Sequence, residues 1–289
     1  MFGVFSSTYM IELFDWLRAW NTAHPNDTVQ YFGFDIQESA QLAAALRAFM
    51  GRVDAARKDE LTSALSACYC GAYDTLYACA QTPENDLTGA AFPRDRDTTC
   101  HAGIDKLEAE VIKNEAAYTA ASSATTVARA KLGIKNLRAQ QKSIATADFG
   151  ESSSARDRGM HDAALGLRDI HAKSGKTILM AHDAHLEHTS ESPYLKANGY
   201  PNRPCMGGML RTTLGTKYRA IGQVAYVTKI NWDGIAAPKP NTRDDSLERL
   251  LHEKGLPYML LDLANNEFVK TGATYSYDPQ GPFTTFVPS

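Results

Sequence analysis

Nowhere in these 289 residues is there a run of about 18–20 apolar residues, the length that a membrane-spanning helix requires. A basic excess is also missing: Lys and Arg total 30 against 33 Asp and Glu, for a net charge of -3. Phosphate neutralisation supplies most of a nucleic-acid binder's affinity, so neither a membrane nor a nucleic acid is expected as a partner. The most basic stretch, Arg129 to Lys142, is diluted with Ala, Gln and Leu and reads as the solvated face of a helix. No G-x-S-x-G elbow and no G-x-x-x-x-G-K-[ST] loop occurs, which leaves a serine-esterase mechanism and a P-loop without support. Residues 1–7 carry no positive charge and too short an apolar run for a signal peptide.

Cysteine is scarce. The five are Cys68, Cys70, Cys79, Cys100 and Cys205. The C-x-C spacing at Cys68 and Cys70 is not that of a zinc site. The four between 68 and 100 are either packed thiols or include a disulfide, and pairing would indicate an exported protein. The compartment stays open.

What is present is an ordinary globular composition, 44% hydrophobic, enough for one large domain or two modest ones. Met10, Leu13, Phe14, Leu17 and Trp20 recur at helical spacing, which predicts a helix over 8–20. Val29 to Phe34 reads as a short buried strand, and Ser39 as the cap of an Ala- and Leu-rich helix. From Arg52 to Lys142 the pattern is helical apart from Thr82–Asn85 and Phe92–Asp95. Ser152–Ser154 reads as a linker or cap, and Met160, Ala163, Ala164, Leu167 and Ile170 as one face of a helix closed by Gly175. Thr177–Ala181, Tyr218–Thr228 and Pro257–Leu261 read as strands, and Met206–Leu214 and Ser246–Lys254 as helices. This alternation predicts an α/β fold, a mostly parallel sheet flanked by helices. Residues 1–51 and 148–289 would form the α/β domain, and 52–147 an inserted helical hairpin or bundle.

Ligands of open α/β sheets lie beyond the carboxyl ends of the strands. Three predicted ends carry polar groups: Asp35 with Gln37, His182 with His185, and Asp262. In Ala181-His182-Asp183-Ala184-His185-Leu186-Glu187-His188 the histidines recur at intervals of three, so one helical turn would put His182 and His185 on one face. Three readings are open. A zinc pair would want the i, i+4 spacing of the helical metal motif. A structural pair would be hydrogen-bonded in a loop. General acid–base catalysis would use two imidazoles beside a carboxylate.

The segment Ala181-His182-Asp183-Ala184-His185 resembles the A-H-N-A-H segment of erythromycin-esterase-type hydrolases. Trp20-Asn21 with Tyr31-Phe32-Gly33-Phe34-Asp35-Ile36-Gln37 is similar to the family's W-N … F-Y-G-F-D-x-Q stretch. Arg156-Asp157-Arg158-Gly159-Met160 resembles its R-[DE]-x-x-M helix start. Met206-Gly207, Leu210, Gly215, Tyr218, Ile221 and Gly222 resemble its M-G-x-x-L … G-x-x-Y-x-x-I-G stretch. The resemblance implies a metal-independent hydrolase of carboxylic esters, including macrolide lactones, with no cofactor and a small-molecule ester or lactone as its partner. It implies His182, His185 and Arg156 as catalytic residues, and Asp35, Gln37 and Asp183 as substrate-binding residues.

Two positions depart from the family pattern: Asp183 adds a negative charge where the family has Asn, and Ala163 stands where it has another Asn. The family's G-E-x-x-H-G segment, whose histidine activates water, does not occur in this sequence. The expectation is therefore a chain lacking its amino-terminal part, at least one strand-helix-strand unit and so on the order of 30 residues or more. The alternative expectation is an inactive remnant that binds a small molecule or a partner.

Overall fold

A computed structural model describes residues 8–37, 39–69, 94–146, 148–172, 175–187, 196, 199–221, 247–255, 275–278 and 285–288. The chain divides into two compact units, one formed by 32–220 and the other by 1–31 with 221–289.

Among the described residues the larger unit is helical throughout its regular structure. Its elements are α2 (Ser39–Val53), α3 (Lys58–Thr62), a 3₁₀ segment (Ser63–Cys68), α4 (Arg94–Lys113), α5 (Glu115–Ala121), α6 (Ala124–Ile144), α7 (Phe149–His171), the single turn α8 (Asp183–Leu186) and α9 (Met206–Leu214). Helical spacing explains the packing. Val127, Ala130, Ile134 and Leu137 of α6 meet Cys100, Ile104, Leu107 and Val111 of α4, with Leu46 and Met50 of α2 completing the buried cluster. The Ser123 hydroxyl caps α6 by accepting the Thr126 N–H, and the Asp148 carboxylate caps α7 by accepting that of Glu151. Helix α7 thus begins at Phe149. Ser152–Ser154, expected as a linker or cap, lie inside it. Of the five cysteines, Cys68 and Cys100 form a disulfide within the buried cluster, and the buried Cys205 thiol donates to the Glu187 carbonyl.

The expected mostly parallel sheet is overturned. Among the described residues the one sheet is an antiparallel pair, β1 (Tyr275–Asp278) with β2 (Thr285–Pro288), in the smaller unit. Residues 29–34 and 177–181 have no strand assignment. Apolar alternation specifies extended backbone, but a strand also needs a neighbour to share its ladder. Ile178 is 92% exposed and Met180 63%, so one face of that segment is open, whereas a central strand of a parallel sheet is buried on both. The expected strands 222–228 and 257–261, with Asp262, lie outside the described residues.

In the smaller unit α1 (Thr8–Ala23) ends in a fixed turn: Asn21 exchanges two hydrogen bonds with the Val29 backbone, and the Trp20 indole donates to the Asp27 carbonyl. Helix α10 (Leu247–His252) packs beside β2. No helix among the described residues is long and apolar enough to cross a membrane.

At the carboxyl end of α7 the His171 ring stacks on Phe32, and its Nε2 accepts the Arg129 Nε–H. Burial first, and then the Arg129 charge, lower the His171 pKa below the ordinary histidine value. The unfolded chain therefore binds this proton more readily, and stability falls as pH drops below about 6.5 towards the lowered value. Melting temperatures measured between pH 7 and 5 should show less acid sensitivity in His171→Gln than in the parent.

Candidate functional site

Four side chains of the larger unit form a continuous polar chain. Arg156, on α7, grips Asp35 through both carboxylate oxygens, Nε to Oδ1 at 3.1 Å and Nη2 to Oδ2 at 2.7 Å. Its Nη1 lies 3.2 Å from His185 Nε2. The other ring nitrogen, Nδ1, is 2.5 Å from Asp157 Oδ1. Asp157 is 3% exposed, whereas the Arg156 and His185 side chains are 20% and 23% exposed. The buried end of the chain is thus a carboxylate and the open end a guanidinium–imidazole pair.

Hydrogen-bond chemistry fixes the tautomer. A guanidinium only donates, so Nε2 of His185 accepts, and Nδ1 carries the hydrogen that it donates to Asp157. His182 is in the opposite state. It precedes the turn α8, and its Nδ1 accepts the Ala184 backbone N–H at 3.2 Å. That bond leaves the ring hydrogen on Nε2. His182 is exposed. The two histidines therefore offer one acceptor nitrogen and one donor nitrogen.

The backbone that carries them is held from below. Met160, Met206, Leu210 and Tyr218 form a buried cluster against Phe34, Ala181 and Leu186. The Tyr218 hydroxyl donates to the Leu186 carbonyl at 2.6 Å, and burial pushes its pKa up to about 12, so it remains a donor at neutral pH. Gly207 touches the same backbone: a Cβ there would sit 2.3 Å from Leu186 C and O and 2.4 Å from the Glu187 carbonyl oxygen. Gly207→Ala should therefore cost about 1–3 kcal/mol or more, because backbone cannot yield as a side chain can. Gly33→Ala, with nothing within 4 Å of its Cβ, should stay within about 0.5 kcal/mol. Denaturant melts of the two variants check the contrast.

The sequence-predicted residues are thus partly united. Asp35, Arg156 and His185 meet directly. The Gln37 backbone N–H binds Asp35 Oδ1 at 3.2 Å, and Gln37 itself is buried. Asp183 sits in the first position of α8. His182 makes its side-chain bond locally, to Ala184. Asp157 was missed as a site residue. The acidic second position of R-[DE]-x-x-M was the available signal. Among the described residues no three His, Cys, Asp or Glu groups converge as a metal site would require.

Comparison with solved structures defines the class of fold. A crystal structure of a Bacillus cereus protein superposes with a TM-score of 0.75 at 16% identity, covering 98% of this chain and 69% of that one. An erythromycin esterase, EreC, with one histidine changed to asparagine and in its open conformation, gives 0.55 at 16% identity over 84% of this chain and 62% of its own. A succinoglycan biosynthesis protein gives 0.56 at 14% identity over 76% of this chain and 49% of its own. No curated protein sequence matches the chain. The erythromycin esterase family matches residues 1–278, and the chain belongs to that family.

Proposed function

We propose that the protein hydrolyses carboxylic esters or lactones by attack of a histidine-positioned water. Support comes from family membership and, above all, from the polar chain Asp157–His185–Arg156–Asp35. Each group has a part that suits its hydrogen bonding. His185, held by Asp157, has a single acceptor nitrogen, Nε2, and orients the attacking water when the water takes that acceptor over from Arg156 Nη1–H. Arg156 has five N–H groups; two are used on Asp35, which leaves three, the one released by His185 included, for the carbonyl oxygen. As water adds to the carbonyl carbon, that oxygen becomes an anion, and a fixed cation opposite it lowers the barrier. The ester C–O bond then breaks, and His182 Nε2–H lies on the donor side needed to protonate the departing alkoxide. Asp35 and Gln37 hold the Arg156 end. The proton that the attacking water loses goes to the main base, which in the family pattern is the G-E-x-x-H-G histidine, a segment that these 289 residues do not contain.

The test therefore uses the protein as its source makes it. A panel of linear esters and macrocyclic lactones, macrolides among them, should yield a substrate whose hydrolysis falls at least about tenfold in Arg156→Lys, which keeps the charge but loses the planar fork. If no member of the panel is hydrolysed while a lactone still binds, the reading gives way to a binding remnant.

A further inference from the structure

We propose that Thr213 is the nucleophile of a second site, a threonine–histidine–aspartate relay that accepts the acyl group of an activated ester such as an aryl ester. His161, on α7, stands between the other two. Its Nδ1 lies 2.9 Å from Asp162 Oδ1, and its Nε2 lies 3.1 Å from the Thr213 hydroxyl on α9.

Hydrogen-bond chemistry sets the direction of both bonds. Asp162 also holds the Lys135 ammonium on Oδ2, at 2.9 Å. Burial opposes its charge, but the Lys135 and His161 bonds outweigh burial and hold the carboxyl below the ordinary aspartate value. An ionised carboxylate only accepts, so Nδ1 carries the ring hydrogen. Nε2 of the neutral ring is then the acceptor, and the Thr213 hydroxyl donates to it. A hydroxyl bonded to a base that a third group orients is the arrangement that activates a nucleophile.

The neighbouring residue shows that this bond is not the default on α9. The Thr212 hydroxyl donates back to the Gly208 carbonyl at 3.0 Å, as helical threonines can. Thr213 donates to His161 instead and makes no second hydrogen bond among the described residues, so its lone pairs stay open to an incoming acyl carbon. Thr213 is exposed, while the His161 side chain is only 13% exposed. The reacting oxygen is thus reachable and its base sheltered.

In the transfer, the Thr213 oxygen bonds to the acyl carbonyl carbon as its proton passes to His161 Nε2. The bond to the aryl oxygen then breaks, the phenol leaves with that proton, and an acyl ester of Thr213 remains. An aryl oxygen departs readily, so attack sets the rate and activation of the nucleophile is what counts. The relay shares no hydrogen-bond partner with Arg156 or His185, and the inference does not depend on the hydrolase reading.

The probe is p-nitrophenyl acetate, incubated with the full protein before the acetylated residues are mapped by mass spectrometry. Thr212, which is also exposed, is the internal control. Thr213 should acetylate at least tenfold faster than Thr212, and Thr213→Ser should keep that preference. His161→Gln and Asp162→Asn, each checked by its melting temperature, should remove it; where His161→Gln fails to fold, Asp162→Asn decides. Equal labelling of the two threonines in the parent, as a latch that merely ties α9 to α7 would give, overturns the proposal. So does a preference that survives either folded variant, or acetyl found on His161 in place of Thr213.

Discussion

His185→Ala should lower ester hydrolysis by about 10²–10⁴, the usual contribution of a positioned acid–base group. Asp157→Asn should come close to it. Asp157 touches no substrate in this scheme; it is a positioning residue, accepting Nδ1–H at 2.5 Å from a site that is 3% exposed. An amide in its place can turn its NH₂ towards the ring and force the hydrogen onto Nε2, the nitrogen that must accept. The loss should therefore appear in kcat with KM little changed, and the ¹⁵N shifts of His185 should report the exchanged tautomer. A merely structural Asp157 would lower stability without moving the tautomer. His182→Ala should also reduce turnover. If neither His182→Ala nor His185→Ala costs more than about tenfold, the acid–base assignment is wrong.

The second large effect is on stability. The Cys68–Cys100 disulfide spans 32 residues, and closing a loop of that size is worth on the order of 3–4 kcal/mol through the unfolded state. It fastens the 3₁₀ segment to α4 in the middle of the largest buried cluster. Reduction, or Cys68→Ala/Cys100→Ala, should lower the melting temperature by about 10 °C, given about 2–4 °C per kcal/mol for a unit of this size. Thiol trapping during lysis of the source cells should leave both residues unalkylated. Rapid alkylation at 68 and 100, with a melt indifferent to reductant, would contradict the pairing.

Local structure was legible where a chemical rule is local. The spacing Val127, Ala130, Ile134, Leu137 marks a buried helix face, and α9 runs over the predicted Met206–Leu214. Pairing was not legible. The run Thr177–Ala181 has the composition of a strand, yet a ladder depends on another segment at the right distance, which composition cannot report. The site was legible through its motifs more than through its geometry. Nothing in the interval between residues 35 and 156 says that their side chains meet. Gly207 and Tyr218 stood out in the sequence, but their purpose appears only when both are seen against the Leu186 backbone. Asp157 was hidden because an acid beside an arginine invites the adjacent pairing, whereas successive helix positions point about 100° apart.

The most direct test of the central claim is a double-mutant cycle on hydrolysis with Asp157→Asn and His185→Ala in the protein as its source makes it. If His185 acts through the orientation that Asp157 gives it, the double variant should be no slower than His185→Ala alone. Independent, multiplying losses would contradict the account, because the two residues would then serve turnover separately.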